Sequence, residues 1–179
     1  MIRSNVELPR VPVGWPDGTS GGTAPSAPDG APADNASADD QPPLVRMAST
    51  LDYDGATHQL TLTRGDGTVQ QFPANNNPDS TSGGRWQDGT YGYERHTTHP
   101  NDAPDSKFGS NGNYIFTVPG RPNMGVHSGR ENVNDAAGRS GVDHATFGCI
   151  RTTDDGTSAI HDAMTSGDPI TSITVRNNR

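Results

Sequence analysis

The stretch Thr146-Phe147-Gly148-Cys149-Ile150-Arg151, set against Gly125-Val126-His127-Ser128-Gly129 upstream, decides how this chain is read. Cys149 is the one cysteine, so no intrachain disulfide can form. The glycine before it offers no side-chain bulk, so a substrate can come close. The N–H groups of Gly148 and Cys149 could point into the same space, and two such donors would stabilise the oxyanion of a tetrahedral intermediate. A thiol is weak until it loses its proton, so a nucleophilic Cys149 needs a histidine within reach. His127 ends a short extended piece, 124–127, which would hold it more rigidly than a loop. The competing reading is a lone cysteine acting as a small buried hydrophobe.

Working outward, Asp154 or Asp155 can cap a helix with Ile160, Ala163 and Met164 on one face, and Gly167 stops it. PITSITV (169–175) reads as a last strand, with Ile170 and either Ile173 or Val175 inward. Upstream, NYIFTV (113–118) is a strand closed by Pro119-Gly120. Leu60 and Leu62 alternate with Thr61 and Thr63, which is strand period. Gly65-Asp66-Gly67 supplies the positive φ angles of a hairpin turn, which also accounts for the adhesion-like triplet Arg64-Gly65-Asp66. Residues 75–112 and 129–146 are polar and glycine-rich, and read as long loops. The expected fold is mainly β with one or two short helices.

Only 28% of the 179 residues are hydrophobic, and glycine (22) and proline (15) exceed a fifth of the chain, so the core must be concentrated in part of it. Residues 1–48 are rich in Pro, Gly, Ala and Asp and lack apolar period. They read as a disordered arm, a linker or a delivery segment, ahead of a domain over 49–179. The net charge of −8 argues against nucleic acid and anionic lipid as partners. No run approaches the roughly 20 apolar residues of a membrane span, and the N-terminus lacks the apolar region of a secretory signal peptide.

The paired motif resembles the catalytic domain of L,D-transpeptidases, the YkuD-like family. That signature is His followed by Ser or Gly, then Ser/Thr-His-Gly-Cys-hydrophobic-Arg/Asn. Here it reads His127-Ser128, then Thr146-Phe147-Gly148-Cys149-Ile150-Arg151. The helix over DDGTSAIHDAMTS, the strand from Gly167-Asp168-Pro169-Ile170, the opening YDGATHQLTLTRGDGTVQQFPANNN and the WQDGTYGY strand agree with it, over about residues 50–176. The resemblance implies a β-sandwich of the L,D-transpeptidase type and a peptidoglycan stem peptide as substrate. Cys149 would attack the carbonyl at the L-centre of a diamino acid in stem position three, with His127 as base and no cofactor or metal. The D-amino acid in position four would leave. An amine acceptor then gives transpeptidation or exchange, and water gives carboxypeptidase trimming.

Two departures stand out. Phe147 occupies the place of the family's usual histidine, with His144 three residues earlier as an alternative donor. The gap from His127 to Cys149, 22 residues, is longer than is typical. Ser128, His144 or a backbone carbonyl could orient the imidazole; Ser128 reads equally as a turn hydroxyl. Arg151 could bind a stem carboxylate or pair with Asp154 or Asp155. Tyr114 could line the donor site or be a strand aromatic. His96, His99 and Asp102 spell a weak metal pattern in a Pro/Asn-rich loop, short of the ligands a zinc site needs. His58 and His161 read as solvent-facing. The opening motif and the lack of a signal peptide further resemble type VI secretion effectors. That resemblance implies non-Sec delivery to the periplasm, with an immunity protein and a secretion-machinery component as partners. The alternative is a catalytically inactive peptidoglycan-binding module of the same fold.

Overall fold

Alternation of apolar and polar residues builds the opening strands, Ser49–Asp54 and Gln59–Thr63, while Asn113–Phe116 is buried throughout. The computed structural model describes residues 47–179, so nearly all of the arm expected over 1–48 lies outside the described residues. Eight strands follow in order: β1 (Ser49–Asp54), β2 (Gln59–Thr63), β3 (Val69–Asn75), β4 (Gly89–Thr97), β5 (Asn113–Phe116), β6 (Gly125–His127), β7 (Ile150–Thr152) and β8 (Ile170–Arg176). One helix, α1 (Asp154–Thr165), and one 3-10 turn (Gly141–Asp143) complete the set among the described residues. The mainly β class with one or two short helices is therefore the class found.

The strands close in the order β1-β2-β3-β7-β6-β5-β4-β8. Two pairings are parallel, β1 with β8 and β6 with β7. Two layers share strands: β4 pairs with β8 through Gly89–Gly92 and with β5 from Tyr93 onward, and β3 joins β2 to β7. The sandwich-like layers are thus joined edge to edge, which leaves no open rim.

Leu60 and Leu62 of β2 are fully buried, as their spacing predicts. Each such side chain contributes about 1.5–3 kcal/mol. They share one core with Leu51, Tyr53, Ile160 and Ile173. Trp86 sits edge-on to Tyr91 at 5.2 Å in the same core. In the turn after β2 only Gly67 takes the left-handed conformation expected there (φ 87°).

Three sequence expectations are corrected. The long excursion 75–112 holds the nine-residue strand β4, wider than the WQDGTYGY resemblance suggested. Its Gly, Arg, His and Thr carry no clear period because the strand changes layers midway. In β8, Ile170, Ile173 and Val175 are all buried. Ser49 opposes Ile170 while Thr50 opposes Ser172, so Thr171 is an extra residue that shifts the phase. The cap of α1 is Thr153, whose side chain accepts from the Gly156 N–H at 3.1 Å; Asp154 and Asp155 fill the first turn. A Cβ at Gly156 would lie 2.6 Å from Thr152 Oγ1, so this glycine lets α1 rest against β7. Among the described residues no helix is long and apolar enough to cross a membrane.

Candidate active site

Register sets the site. Across β5, β6 and β7, Asn113 lies opposite His127 and Ile115 opposite Gly125, while Val126 pairs with Ile150 and His127 with Arg151. Alternate side chains point to opposite faces. Tyr114, Val126 and Ile150 therefore enter the core. Asn113, Ile115, His127 and Arg151 line a cavity of about 660 Å³, and Cys149, one step before β7, joins them.

The turn before Cys149 is held from all sides. Gly148 has φ 114°, and a Cβ there would stand 2.0 Å from Arg121 Nη2, so only glycine fits. Its carbonyl accepts from Trp86 Nε1 (2.7 Å) and Asn76 Nδ2 (2.8 Å). The Cys149 carbonyl accepts from Asn76 Nδ2 (3.1 Å) and Thr146 Oγ1 (2.9 Å). Asn76 is itself fixed, with Oδ1 accepting from the Trp86 N–H and from Asn178 Nδ2. The Gly148 N–H donates to Thr146 Oγ1 at 3.1 Å, so the turn already engages one of the two amides expected at an oxyanion.

Cys149 is 7% exposed. Burial pushes its thiol pKa up; the Gly125 N–H and the cations Arg151, Lys107 and Arg121 pull the other way. A side chain on Gly125 would meet Asn113 Oδ1 at 2.1 Å, so glycine here keeps the strands close.

His127 is 2% exposed. Its Nδ1 lies 2.7 Å from the Ser128 carbonyl. A carbonyl only accepts, so Nδ1 carries the proton and Nε2 keeps its lone pair. The ring meets the edge of Phe108 at 5.1 Å. Burial, then the charge of Arg151, lowers its pKa to about 3. The site at neutral pH is thus a neutral imidazole and a neutral thiol lining one cavity, with the thiol directed at the Asn123 carbonyl (3.9 Å).

Of the three orienting groups left open by the sequence, the backbone carbonyl occupies the position. The Ser128 hydroxyl faces away, bonded to the Asp154 carboxylate and to Thr157 Oγ1 (3.1 Å), and so ties β6 to α1. His144 lines the cavity with Nδ1 on the Ala145 carbonyl (2.8 Å). Arg151, 3% exposed, makes no pair with Asp154 or Asp155. Its Nη1 donates to the carbonyls of Gly129 (2.7 Å) and Ser128 (3.2 Å).

Phe147 is 58% exposed on the cavity wall, with Lys107 Nζ 5.3 Å from its ring. Tyr114 is not brought to the cavity. It faces the core and stacks on His96 at 4.2 Å, and burial raises its phenol pKa. His96 and His99 are engaged separately. His96 Nε2 bonds the Asn111 carbonyl (2.6 Å), and His99 stacks on Phe108 (4.9 Å).

Sequence reasoning missed Asn76, Trp86, Arg121 and Lys107. An asparagine run and a polar loop read as solvated surface, and nothing local marks Asn76 as buried.

No protein-family model and no curated protein sequence matches the chain. Among solved structures it is similar to the helical cell shape determining protein Pgp2 of Campylobacter jejuni. The TM-score is 0.50 at 12% identity, covering 74% of this chain and 48% of that one. It is also similar to an L,D-transpeptidase of Mycobacterium smegmatis (TM-score 0.44, 20% identity, covering 72% and 58%). L,D-transpeptidase 1 of Mycobacterium tuberculosis gives a TM-score of 0.40 at 17% identity, covering 72% and 60%. The chain spans about half to three fifths of the length of these structures. The likeness is one of fold alone, a mainly β chain with one helix.

Proposed function

We propose that residues 49–179 form a cysteine-dependent L,D-transpeptidase or L,D-carboxypeptidase acting on peptidoglycan stem peptides. One observation carries this reading: Cys149 and His127 line the same cavity, with the Gly148 and Cys149 carbonyls clamped and Nδ1 of His127 held by the Ser128 carbonyl. Because both groups are neutral, Nε2 takes the thiol proton as Sγ attacks the carbonyl carbon. The Cys149 N–H is then the turn's remaining donor for the oxyanion. The C–N bond breaks, His127 returns the proton to the leaving D-amino acid, and a thioester remains. An amine or water, deprotonated by His127, then releases the acyl group. Arg151, His144 and Phe147 contact the stem around this centre.

The test is incubation with purified cell wall and mass spectrometry of the muropeptides. Tetrapeptide stems should be shortened or exchanged by the wild type and left intact by Cys149→Ala. Equal products from both would refute the proposal.

A second reading, a binding module without turnover, is favoured by the upward-shifted thiol pKa and by Phe147 in place of a histidine. It predicts retention on sacculi with no product and no alkylation of Cys149. As a delivered effector the protein would act in the periplasm by a non-Sec route, with an immunity protein and a secretion component as partners. Harmless expression in the periplasm, where the wild type and Cys149→Ala should differ in toxicity, would count against this.

A further inference from the structure

Basic residues are scarce in this chain of net charge −8, yet Lys107, Arg130 and Arg151 all line the one cavity described. None of the three forms an ion pair among the described residues. The two carboxylates on the same wall are already engaged. Asp79 accepts from the N–H and hydroxyl of Thr81 (2.8 Å each). Asp135 pairs with Arg139 (2.8 Å) and accepts from backbone N–H groups of its own loop. The cavity therefore carries an excess of positive charge: Lys107, Arg130 and Arg151 are unpaired, against the Asp79 carboxylate, held by Thr81, and Asp135, already paired with Arg139.

Two features make this more than a basic surface. The Arg151 guanidinium is buried, and its Nε has no hydrogen-bond partner. The neighbouring Arg130 charge acts on it, adding to the effect of burial in lowering its pKa to about 10. A buried cation beside a like charge is costly unless an anion completes it. Arg130 is also held in an unfavourable backbone conformation (φ 60°). Its N–H bonds the Ser106 carbonyl (3.0 Å) and its carbonyl accepts from the Gly141 N–H (2.7 Å), so the loop fixes the residue. Its side chain makes no hydrogen bond among the described residues. Strain of this kind, in a residue aimed at a cavity, marks a functional position.

We propose that Arg130 and Arg151 form a carboxylate subsite beside Cys149, which selects substrates carrying a free carboxylate close to the scissile amide. Only the peptide's identity rests on the peptidoglycan reading; the anion preference does not. On a stem peptide the carboxylate has two sources, the C-terminus of the leaving D-amino acid or the side chain of the diamino acid.

The primary test needs no peptide. Alkylation of Cys149 by anionic iodoacetate and by neutral iodoacetamide is compared in the full chain at low salt. In each reaction the sulfur displaces iodide and forms a C–S bond. Arg130→Gln should lower the iodoacetate-to-iodoacetamide rate ratio about fivefold, the size of one charge-assisted contact at a half-exposed site. Arg130→Lys should keep part of the ratio, and high salt should compress it in the wild type. Arg179→Gln, the same charge change outside the cavity lining, should leave it unchanged. A ratio equal in wild type and Arg130→Gln, or shifted equally by Arg179→Gln, overturns the proposal.

Stem tetrapeptides amidated at either carboxylate, titrated against Cys149→Ala, then assign the source by which amide weakens binding. Full binding of a doubly amidated stem also overturns it. Binding of no stem, with the iodoacetate preference kept, supports the subsite and removes the peptidoglycan reading.

Discussion

Acid should weaken this fold through one histidine. His127 has a folded-state pKa of about 3 because burial and the Arg151 charge oppose its protonation. An unfolded histidine titrates near 6.5. Between these values the unfolded chain binds a proton that the folded chain does not, so stability present above pH 6.5 is lost as pH falls towards 3. Each unit is worth about 1.36 kcal/mol. At pH 5 the loss is about 2 kcal/mol relative to neutral pH, and near pH 3 it is about 4 kcal/mol.

Urea unfolding of the wild type and His127→Gln at pH 7.5 and pH 5 isolates this contribution. Any constant cost of the substitution cancels in the difference, as do the other titrations. The gap between the two proteins should narrow by about 2 kcal/mol on acidification. Parallel pH profiles would refute the reasoning, and would mean that the imidazole gains a proton inside the fold at ordinary pH.

Three further outcomes follow from the site. Burial raises the Cys149 thiol pKa, so alkylation by iodoacetamide should still be climbing above pH 8; a plateau at or below pH 7 would show a preformed thiolate–imidazolium pair instead. Gly148→Ala forces a Cβ into Arg121 at a positive φ, and should cost about 1–3 kcal/mol by urea titration with loss of alkylation selectivity at Cys149. Asn76→Ala removes the clamp on the carbonyls of Gly148 and Cys149 and leaves buried groups unpaired; a loss under about 1 kcal/mol would show that the clamp is dispensable.

The sequence made the strands legible wherever one face is buried and the other wet, as in Leu60 and Leu62. It also found β5, whose residues are all buried, and what escaped was the extent of β4 and the facing of β8. β4 changes layers, and β8 carries an extra residue at Thr171, so neither shows a clean period. At the candidate site, the shared position of Gly148-Cys149 and His127 was legible because a tight turn of positive φ restricts residue type. Asn76 and Trp86 were not, since they act from 73 and 62 positions away through hydrogen bonds that no local pattern encodes. Arg130 escaped for a related reason: its meaning lies in a missing partner, visible only once neighbours are placed.

The pairing of β1 with β8, together with the Asn178 contact to Asn76, bears on when the cavity can form. The ring of strands cannot close until Ile170–Arg176 has been synthesised, and the clamp behind Cys149 waits for Asn178 as well. A nascent chain that already contains Cys149 therefore has no finished pocket. Long-range strand pairing of this kind also folds slowly. Completion of the cavity beside Cys149 is in this way held back until the last strand of the chain is in place.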